Sequence, residues 1–372
     1  MTKNFKILIA GNMVNQGFVT AKELRKKGYN VDLLMEEKSH ITADPAYLEP
    51  ELRNNYPPWI KFFNKKKSKW KFEIIKIMKQ YDLIHSWVEF SIFAQFSGKP
   101  FIANTQGSDF RELAKANSLK GFLLRRAYRK AKVIIFNQPD YLDLNSKILK
   151  EKGIFVPIIW DKKYWPLLEN EEKSKQLTIF FPANLDWKLK GNDIFLQGYS
   201  EFVKKFENTK LILVKRGVDS EKTLELIKKF SIEKYCEIVN GPLNRIEMLK
   251  MYAKSDIIVD QFVIGSMGSI ALESMIYKKP LITYVKNELH RKSYGSIPPL
   301  ISAKNPSEIF EGLLKLKDKN ERKRVGMKLN TWVKEHHSSE KISEQIGLVY
   351  NLIEKGLNTK SILNELKNNT QL

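Results

Sequence analysis

The chain reads Ile257-Ile-Val-Asp-Gln-Phe-Val-Ile-Gly-Ser-Met-Gly-Ser-Ile-Ala-Leu-Glu-Ser-Met-Ile-Tyr-Lys-Lys-Pro-Leu-Ile-Thr-Tyr284 at the place that decides its fold. The apolar run Ile257–Val259 has the length and composition of a buried strand, and Pro280–Tyr284 has the same character. Between them, small residues from Gly265 onward lead into a helical segment, Ser269–Ile276. A strand, a glycine-containing loop, a helix and a second strand in this order predict a β-α-β unit with parallel strands.

The same alternation recurs along both halves of the chain. In the first half the predicted strands are Lys6–Ala10, Val31–Leu34, Ile84–Ser86, Pro100–Asn104 and Val133–Phe136. A polar stretch, Leu168–Lys175, interrupts the pattern, as an interdomain linker does. After it the predicted strands are Leu177–Phe181, Lys210–Val214, Glu237–Asn240, Ile257–Val259 and Pro280–Tyr284, with helices between them.

A length of 372 residues favours two domains over one large core. We predict an α/β protein with two Rossmann-like, doubly wound parallel-sheet domains facing a central cleft. The predicted boundaries are 1–166 for the N-terminal domain, 167–176 for the linker and 177–340 for the C-terminal domain. Residues 341–372 are expected to form a helix that packs back toward the N-terminal domain, followed by a tail. Ligands of such sheets bind beyond the carboxyl ends of the strands, so the loops there are the candidate sites.

Composition excludes several classes of protein. Because 42% of the residues are hydrophobic, the chain can build a large core and is not expected to be disordered. The single cysteine, Cys236, excludes a disulfide framework and a site of several thiolates. The histidines are isolated or adjacent rather than spaced as ligands, so no metal site is predicted. Apolar runs are only strand-length and the N-terminus lacks a signal-peptide pattern, which favours a cytoplasmic protein.

The net charge of +22 is concentrated in one region of the chain. Residues 51–150 alone carry +12, with dense spots at Tyr56–Phe72 and Leu119–Lys132. A basic surface indicates an anionic partner: nucleic acid, an anionic membrane or a phosphorylated substrate. A lysine-rich composition that serves solubility alone explains the charge equally well.

Two loops of the first half follow predicted strands. Gly11–Gly17 lets backbone approach a ligand at a helix N-terminus. Its glycines are six apart, so it is not the G-x-G-x-x-G pattern of a dinucleotide site, and an ordinary turn is the alternative. Asn104–Arg111 contains Gly107 and Asp109. Asp109 either caps the next helix or binds a hydroxylated or phosphorylated ligand.

Two loops of the second half combine glycine with charge. Asp186–Asp193 places Lys188 and Lys190 beside Gly191, an arrangement that suits a diphosphate, although a solvated turn is the alternative. The loop that begins at Gly265 precedes a helix, with Glu273 about one turn inside it. A carboxylate there can accept hydrogen bonds from two vicinal hydroxyls, as a ribose offers, or it can be an ordinary surface residue.

Together, five motifs resemble the GT-B glycosyltransferases, in particular the large retaining group called family 4. They are Asp82-Leu-Ile-His-Ser86, Gln106-Gly-Ser-Asp109, Pro157-Ile-Ile-Trp-Asp-Lys-Lys-Tyr-Trp-Pro166, Lys190-Gly191 and Gly265-Ser-Met-Gly-Ser-Ile-Ala-Leu-Glu-Ser-Met-Ile-Tyr-Lys-Lys-Pro-Leu-Ile282. The resemblance covers nearly the whole chain, and the motifs occur in the family's order. It implies that the N-terminal domain binds the acceptor and the C-terminal domain binds a nucleotide diphosphate sugar.

The resemblance also implies roles for individual residues. Glu273 corresponds to the glutamate that binds the ribose hydroxyls, and Lys190 to the lysine that neutralises the donor diphosphate; these two are the catalytic candidates. Backbone donors at Gly268 and Ser269 meet the donor. The full donor-side set is Asn184, Lys188, Lys190, Gly191, Arg216, Gly265, Gly268, Ser269 and Glu273. The acceptor-side set is Gly11, Asn12, Gly17, Gln106, Gly107 and Asp109.

Three positions depart from the family pattern. Gly265 replaces the first glutamate, which faces the transferred sugar, Asn184 replaces an arginine, and Gln106 replaces a histidine. Lys188 or Arg216 is a candidate to supply the missing cation. The nucleotide-binding half of the pattern is kept, whereas the anchors around the sugar are not. The departures therefore leave the donor sugar open and permit an inactive or unusual transferase.

The resemblance implies transfer of a hexose from a nucleotide diphosphate sugar to a glycan or lipid-linked acceptor, with retention of configuration. No tightly bound cofactor and no metal is expected. The alternatives are a sugar-nucleotide epimerase of the same fold, a non-catalytic sugar-binding relative and, least favoured, a nucleic-acid-binding protein.

The basic, aromatic segments in the first half predict contact with an anionic membrane. The residues assigned to this contact are Trp59, Phe62, Lys65, Lys66, Lys67, Lys69 and Trp70. The alternative is that the aromatic residues belong to the core and the lysines to solvent. On the membrane reading, the protein is peripheral on the inner face of the cell membrane and takes a lipid-linked acceptor there.

Overall fold

The computed structural model describes residues 4–53, 55–166, 168 and 175–369. The chain divides into two units: unit 1 contains residues 1–159 and 337–372, and unit 2 contains residues 160–336. Of the predicted linker, 167–176, only Leu168, Lys175 and Gln176 are among the described residues. The chain thus passes from unit 1 into unit 2 and returns to unit 1 at His337.

Unit 1 is built on a parallel sheet of seven strands. The strands are β1 Lys6–Ala10, β2 Asn30–Glu36, β3 Ile60–Phe63, β4 Leu83–Trp87, β5 Phe101–Thr105, β6 Val133–Phe136 and β7 Gly153–Phe155, in the spatial order β3-β2-β1-β4-β5-β6-β7. The helices between them are α1 Gln16–Lys26, α2 Trp70–Met78, α3 Phe90–Ala94, α4 Leu119–Lys130 and α5 Lys147–Lys152. The order reverses between β1 and β4, which pair directly, with Ile9 opposite His85.

Unit 2 is built on a parallel sheet of six strands. The strands are β8 Leu177–Phe181, β9 Thr209–Lys215, β10 Cys236–Asn240, β11 Ile257–Val259, β12 Leu281–Thr283 and β13 Ile301–Ser302, in the order β10-β9-β8-β11-β12-β13. The helices are α6 Trp187–Lys190, α7 Asn192–Lys205, α8 Ser220–Lys229, α9 Arg245–Lys254, α10 Ser269–Ile276, α11 Asn287–Tyr294, α12 Pro306–Leu316 and α13 Lys319–His336. Here the order reverses between β8 and β11, where Ile257 pairs with Ile179.

Two further helices, α14 Ser339–Glu354 and α15 Thr359–Asn369, belong to unit 1. The Tyr350 hydroxyl of α14 lies 2.7 Å from Nδ1 of His85 in β4. Tyr29 packs edge-on against Tyr350, and a side chain at Gly347 would collide with the Tyr29 phenol. Helix α14 is therefore packed closely against the core of unit 1.

The central strands are buried on both faces, which is why they appear in the sequence as unbroken apolar runs. Ile7, Leu8 and Ile9 have no exposed surface, and the same holds for Ile257 to Val259 in unit 2. The prediction of two doubly wound parallel sheets is confirmed. It missed three strands at sheet edges or near them, β3, β7 and β13, because their apolar stretches are short or lie among lysines.

Candidate active site

The loops after β8 and β11 adjoin at the point where the strand order of unit 2 reverses. Asp186 starts α6 by accepting a hydrogen bond from the Leu189 N–H at 3.0 Å. The Phe262 N–H donates to the Lys190 carbonyl at 2.9 Å, which ties the end of α6 to the loop after β11. A doubly wound sheet binds its ligands at such a point, so the ligand site of unit 2 is expected here.

Lys190 and Asp260 form the charged centre of this region. The Lys190 Nζ lies 3.5 Å from Oδ1 of Asp260, whose side chain is fully buried, while a quarter of the Lys190 side chain is exposed. Neither Asp260 oxygen accepts a hydrogen bond from any residue that the structure describes. At 3.5 Å the ion pair is longer than a good hydrogen bond, so the lysine keeps donor capacity for another anion.

The loop between β11 and α10 is shaped by the side chain of Gln261. Its Oε1 accepts from the Val263 N–H at 3.0 Å and the Ile264 N–H at 2.7 Å. Its Nε2 donates to the carbonyls of Ser266 at 2.9 Å and Tyr284 at 2.7 Å. One amide thus fixes the backbone of the whole loop, a feature the sequence analysis did not assign.

Gly265 takes a backbone conformation that explains one departure from the family pattern. Its φ is +78°, in the region that favours glycine, and a Cβ there would lie 2.8 Å from Cγ of Lys286. A glutamate at this position would be strained and crowded in this structure. The path of this loop therefore favours glycine at position 265.

Helix α10 begins at Gly268 beside the Asp260 carboxylate. A Cβ at Gly268 would lie 3.4 Å from Oδ2 of Asp260, so the carboxylate faces the start of the helix. The N-cap residue, Gly268, has no side chain with which to cap this end, and the first N–H groups of a helix favour an anion. Lys190, the start of α10 and Asp260 thus lie together at the carboxyl edge of the sheet.

Glu273 lies one turn into α10 and is partly buried. Burial raises the pKa of Glu273 to about 7, and the negative charge of Asp260 acts in the same direction. The Tyr252 hydroxyl, the positive charge of Arg245 and the Trp165 indole favour the ionised form and limit the shift. A carboxyl group with this pKa changes charge near neutral pH, which is uncommon for a helix glutamate.

Two aromatic side chains, Tyr252 and Trp165, lie beside Glu273. Trp160 and Trp165 stack with their ring centroids 4.0 Å apart, and the Arg245 guanidinium lies over Trp165 at 5.9 Å. Arg245 also donates to the Tyr164 carbonyl. The segment 157–166 was recognised in the sequence only as a motif. The structure shows that Trp165 of this segment lies beside Glu273 and that Trp160 stacks on Trp165.

The other predicted donor-side residues lie at different depths. Arg216 accepts at its carbonyl from the Leu185 N–H at 2.8 Å, and its Nη2 donates to Pro182 at 3.3 Å, while its buried Nε has no partner within the described chain. Asn184 and Lys188 are exposed. Lys188 is two residues from Lys190 in α6, which is about 200° around a helix. Of the two lysines, only Lys190 points toward Asp260.

Gly11, Asn12 and Gly17 lie where the strand order of unit 1 reverses. A Cβ at Gly17 would collide with the Gly11 carbonyl oxygen, so the loop requires glycine at this close approach. The Asn12 Oδ1 accepts from the Phe18 N–H at 2.7 Å and holds the start of α1. Beside the loop is a cavity of about 420 Å³. Its lining includes Gly11, Asn12, Glu36, His40, Lys65, Trp70, Trp87, Phe90 and Phe93.

The loop after β5 uses its polar residues internally. Asp109 accepts from the N–H groups of Gln106 at 3.1 Å and Gly107 at 2.9 Å, and from the Tyr128 hydroxyl at 3.0 Å. Burial raises the pKa of Asp109. His85, the histidine of the first motif, is held by Tyr350, and burial lowers its pKa to about 3, so it is neutral. In this structure both residues make contacts that hold unit 1 together.

Several of the residues predicted to contact a membrane interact with other residues of the protein instead. Trp59 stacks on Phe18, Phe62 lies in β3 against Tyr56, and Trp70 packs on Phe63 and Phe93. Lys65 pairs with Glu36 at 2.6 Å, and Lys67 with Glu73 at 3.3 Å. Lys66 and Lys69 are exposed. No helix among the described residues is long and apolar enough to cross a membrane.

Within the described ranges, no three side chains of histidine, cysteine, aspartate or glutamate are grouped so that they could hold a metal ion. The charged centre of unit 2 is formed by Lys190 and Asp260, with the start of α10 beside them. Any anion bound at this centre would be neutralised by the lysine and by backbone N–H groups.

Comparisons with known proteins agree with this architecture. Residues 10–138 match the family model described as glycosyl transferase 4-like. No curated protein matches the sequence. Among solved structures, HepE from Anabaena in complex with UDP and glucose is similar with a TM-score of 0.69 and 13% identity, over 94% of this chain and 100% of that one.

Two further structures show the same fold. A glycosyltransferase from Rickettsia africae has a TM-score of 0.63 and 15% identity, over 97% of this chain and 99% of that one. A protein described as a UDP-N-acetylglucosamine 2-epimerase from Listeria monocytogenes has a TM-score of 0.60 and 10% identity, over 95% and 98%. The fold is therefore GT-B, and the resemblance to GT-B glycosyltransferases that the motifs predicted is confirmed.

Proposed function

We propose that this chain, which has the GT-B fold, is a glycosyltransferase whose unit 2 binds a nucleotide diphosphate sugar. The observation that carries the proposal is the grouping of Lys190, the uncapped start of α10 and Glu273 at the carboxyl edge of one sheet. A diphosphate needs a cation and N–H donors, and a ribose needs a carboxylate a few ångströms away. This region of unit 2 offers both.

In the proposed complex the diphosphate lies at the start of α10, where the N–H groups of Ser269 and the next residues donate to it. Lys190 uses its remaining donor capacity to donate to the phosphate oxygens while it stays beside Asp260. Glu273, in its ionised form, accepts from the two ribose hydroxyls, and the Trp160–Trp165 pair covers the apolar side of the nucleoside. Transfer breaks the bond between the sugar and the diphosphate, and the same cation and N–H groups stabilise the charge that develops on the leaving group.

The acceptor is proposed to bind in the cavity of unit 1. Trp70, Trp87, Phe90 and Phe93 give it apolar walls on which a sugar ring can stack, while Glu36, His40 and Asn12 provide polar contacts. Cavities of this kind, mostly apolar with a few polar groups, are typical of small-molecule sites. A glycan or a lipid-linked sugar fits this lining, and we propose a hexose as the transferred group, with retention of configuration.

An epimerase is the second candidate, because the fold is shared with a protein described as a sugar-nucleotide 2-epimerase. Such an enzyme needs no separate acceptor. Conversion of a nucleotide sugar to its isomer by the purified chain alone would favour this candidate. Transfer that depends on an added acceptor would favour the transferase.

A thermal-shift screen tests the donor site. A nucleoside diphosphate or its sugar, at about 100 times its Kd, is expected to raise the Tm by about 5 °C or more. The corresponding nucleoside, which lacks the diphosphate, is the control and should stabilise the chain much less. Absence of any shift with all common nucleoside diphosphates and their sugars, together with no effect of Glu273→Ala, would defeat the donor assignment.

Association with an anionic membrane is proposed for the face formed by α2, α3 and α4. Large apolar side chains are exposed there, namely Phe72, Phe96, Leu119 and Phe122, with Phe72 74% and Leu119 75% exposed. Lysines and arginines of α2 and α4 lie among them, and Arg126 stacks on Phe96 at 5.5 Å. Exposed apolar side chains among basic ones are typical of a surface that contacts an anionic membrane, and the aliphatic Leu119 offers no face on which a base could stack.

Co-sedimentation with liposomes tests this proposal. The chain is expected to bind vesicles that contain phosphatidylglycerol and not neutral vesicles. Replacing Lys65, Lys66, Lys67 and Lys69 together by Gln should weaken binding by about tenfold or more, because each basic residue near an anionic surface contributes roughly 1 kcal/mol. Unchanged binding of this variant would show that the segment is not the contact.

A further inference from the structure

A second cavity of unit 1 has no role in the function proposed above. It has a volume of about 640 Å³ and lies among α4, α5 and the turn Asp109–Leu113. Its lining combines apolar side chains with the cations Lys115, Arg125, Arg129, Lys147 and Lys152. None of the lining residues belongs to the donor-side or acceptor-side sets.

The lining is strongly cationic. It includes five lysines and arginines and a single carboxylate, that of Glu151, which pairs with Lys147 at 3.8 Å. Two of the cations are held by neutral groups: Arg125 donates to the carbonyls of Ala114 and Ala116, at 2.8 and 3.0 Å. Lys152 donates to the carbonyls of Arg129 and Ala131, at 2.6 and 2.8 Å. These contacts fix the positions of the cations without cancelling their charge.

The remainder of the lining is apolar, and the exposed lining area is mostly carbon. Phe110 and Tyr128 are buried and form the inner wall, while Leu144 and Ile148 are half-buried. A cavity made only for a small anion would have polar walls, because apolar walls make no contact with phosphate. The combination therefore favours a ligand with an anionic head and an apolar body.

The cavity also adjoins the exposed apolar residues of α4. Phe122 is more than half exposed, and Arg125 and Arg129 follow it three and seven residues later. At 3.6 residues per turn these three side chains lie on the same face of the helix. A molecule in the cavity can therefore continue along Phe122 and Leu119 into an apolar phase outside the protein.

We propose that this cavity binds the phosphate-bearing headgroup of an anionic membrane lipid, with the first part of its acyl chain on Phe110, Tyr128, Leu144 and Ile148. Lys115, Arg125 and Arg129 surround the phosphate. The inference rests on the membrane association proposed above, and it is independent of the transferase activity. With this cavity occupied, the membrane contact includes one specifically bound lipid in addition to the attraction between surface charges.

The test uses the full chain and a short-chain lipid, dihexanoyl phosphatidylglycerol, below the concentration at which it forms micelles. Titration calorimetry is expected to show saturable binding, about tenfold tighter than for inorganic phosphate. The pair Lys115→Glu with Arg129→Glu should weaken lipid binding by about tenfold or more. The pair Lys323→Glu with Lys328→Glu, on exposed positions of α13 in unit 2, makes the same charge change and should leave it unchanged.

A variant in which a larger side chain fills the cavity shows whether the site binds a lipid or only free phosphate. Ile148→Trp should abolish binding of the lipid and leave the weak binding of inorganic phosphate in place. Equal affinity for lipid and phosphate, or an unchanged affinity in the Lys115 and Arg129 variant, would overturn the proposal. If the lysine variant of residues 65–69 loses vesicle binding while the cavity variants keep it, membrane association stands and the lipid site is wrong. A nucleotide-induced shift in Tm that all variants retain shows that the donor site and the fold are intact.

Discussion

Replacing Lys190 by Ala is expected to lower kcat for sugar transfer by about 10²–10³-fold. The ammonium group lies beside Asp260, which faces the start of α10, and loss of one group that stabilises developing charge costs about this much in other enzymes. The effect should appear in kcat more than in KM, because the leaving diphosphate carries more charge in the transition state than in the bound donor. Steady-state kinetics with a donor found by the thermal-shift screen measures it.

Lys188→Ala is the matched control. It removes the same charge from the same short helix two residues earlier, at an exposed position that faces away from Asp260. Only a small change in kcat is expected, since a solvated cation at this distance is screened. A loss on Lys188→Ala that equals the loss on Lys190→Ala would mean that general positive charge, and not one placed group, supports the reaction.

Because Asp260 pairs with Lys190, the substitution of Lys190 is expected to affect stability as well as activity. Removing Lys190 leaves the buried Asp260 carboxylate without its ion-pair partner, and an uncompensated buried charge costs roughly 3–5 kcal/mol. Lys190→Ala can therefore unfold part of unit 2 as well as stop catalysis. In the double variant Lys190→Ala with Asp260→Asn, the carboxylate is gone as well. We expect this variant to regain most of the Tm and to keep the low kcat of Lys190→Ala.

The fold could be predicted from the sequence because its signal is local. Buried strands such as Ile7–Ile9 and Ile257–Val259 are apolar throughout, and each is followed by a loop and a helix. β3 was missed for a physical reason: it is an edge strand, its side chains alternate between core and solvent, and lysines follow it. Aromatic residues among lysines indicated a membrane segment, whereas Phe63 and Trp70 pack in the core of unit 1.

The candidate site could be predicted only as far as the motifs reached. Lys190 and Glu273 were found because each lies in a short pattern that a family shares. Asp260, Arg245 and Trp165 were assigned no role, because their significance comes from contacts between residues far apart in the chain, which no local spacing encodes. Asp260 was the easiest of them to find, since a carboxylate directly after a buried strand lies at the edge where ligands bind.

Binding of a nucleotide diphosphate sugar, whose phosphates do not titrate in this range, is expected to tighten about tenfold between pH 6 and pH 8, with a midpoint near 7. Burial raises the pKa of Glu273 from its ordinary 4.5 to about 7, so most molecules carry a neutral carboxyl at pH 6 and a carboxylate at pH 8. Only the carboxylate can accept hydrogen bonds from both ribose hydroxyls. Fluorescence or calorimetric titration across this range gives the profile.

Two variants show whether Glu273 is the group that titrates. Glu273→Ala should weaken binding at pH 8 by about 100-fold or more, the loss of two hydrogen bonds to a charged acceptor. Glu273→Gln should bind weakly as well, and with no change in affinity between pH 6 and pH 8. A wild-type profile that persists in the Gln variant would assign the titration to another group. A 2′-deoxynucleotide, which lacks one hydroxyl, is expected to show less of the pH effect.

The same raised pKa predicts an opposite effect on folding. A carboxyl group whose pKa is higher in the folded state stabilises the fold fully below its unfolded value, near 4.5, and loses that contribution as the pH rises through 7. At pH 8 and without ligand, Glu273→Gln should therefore be more stable than the wild type, by on the order of 1–3 kcal/mol. At pH 4.5 the two should be alike. If Glu273 served only the structure, the substitution that stabilises the chain would have no cost. The expected loss of nucleotide binding by the more stable variant is what identifies the carboxylate as a group kept for its ligand.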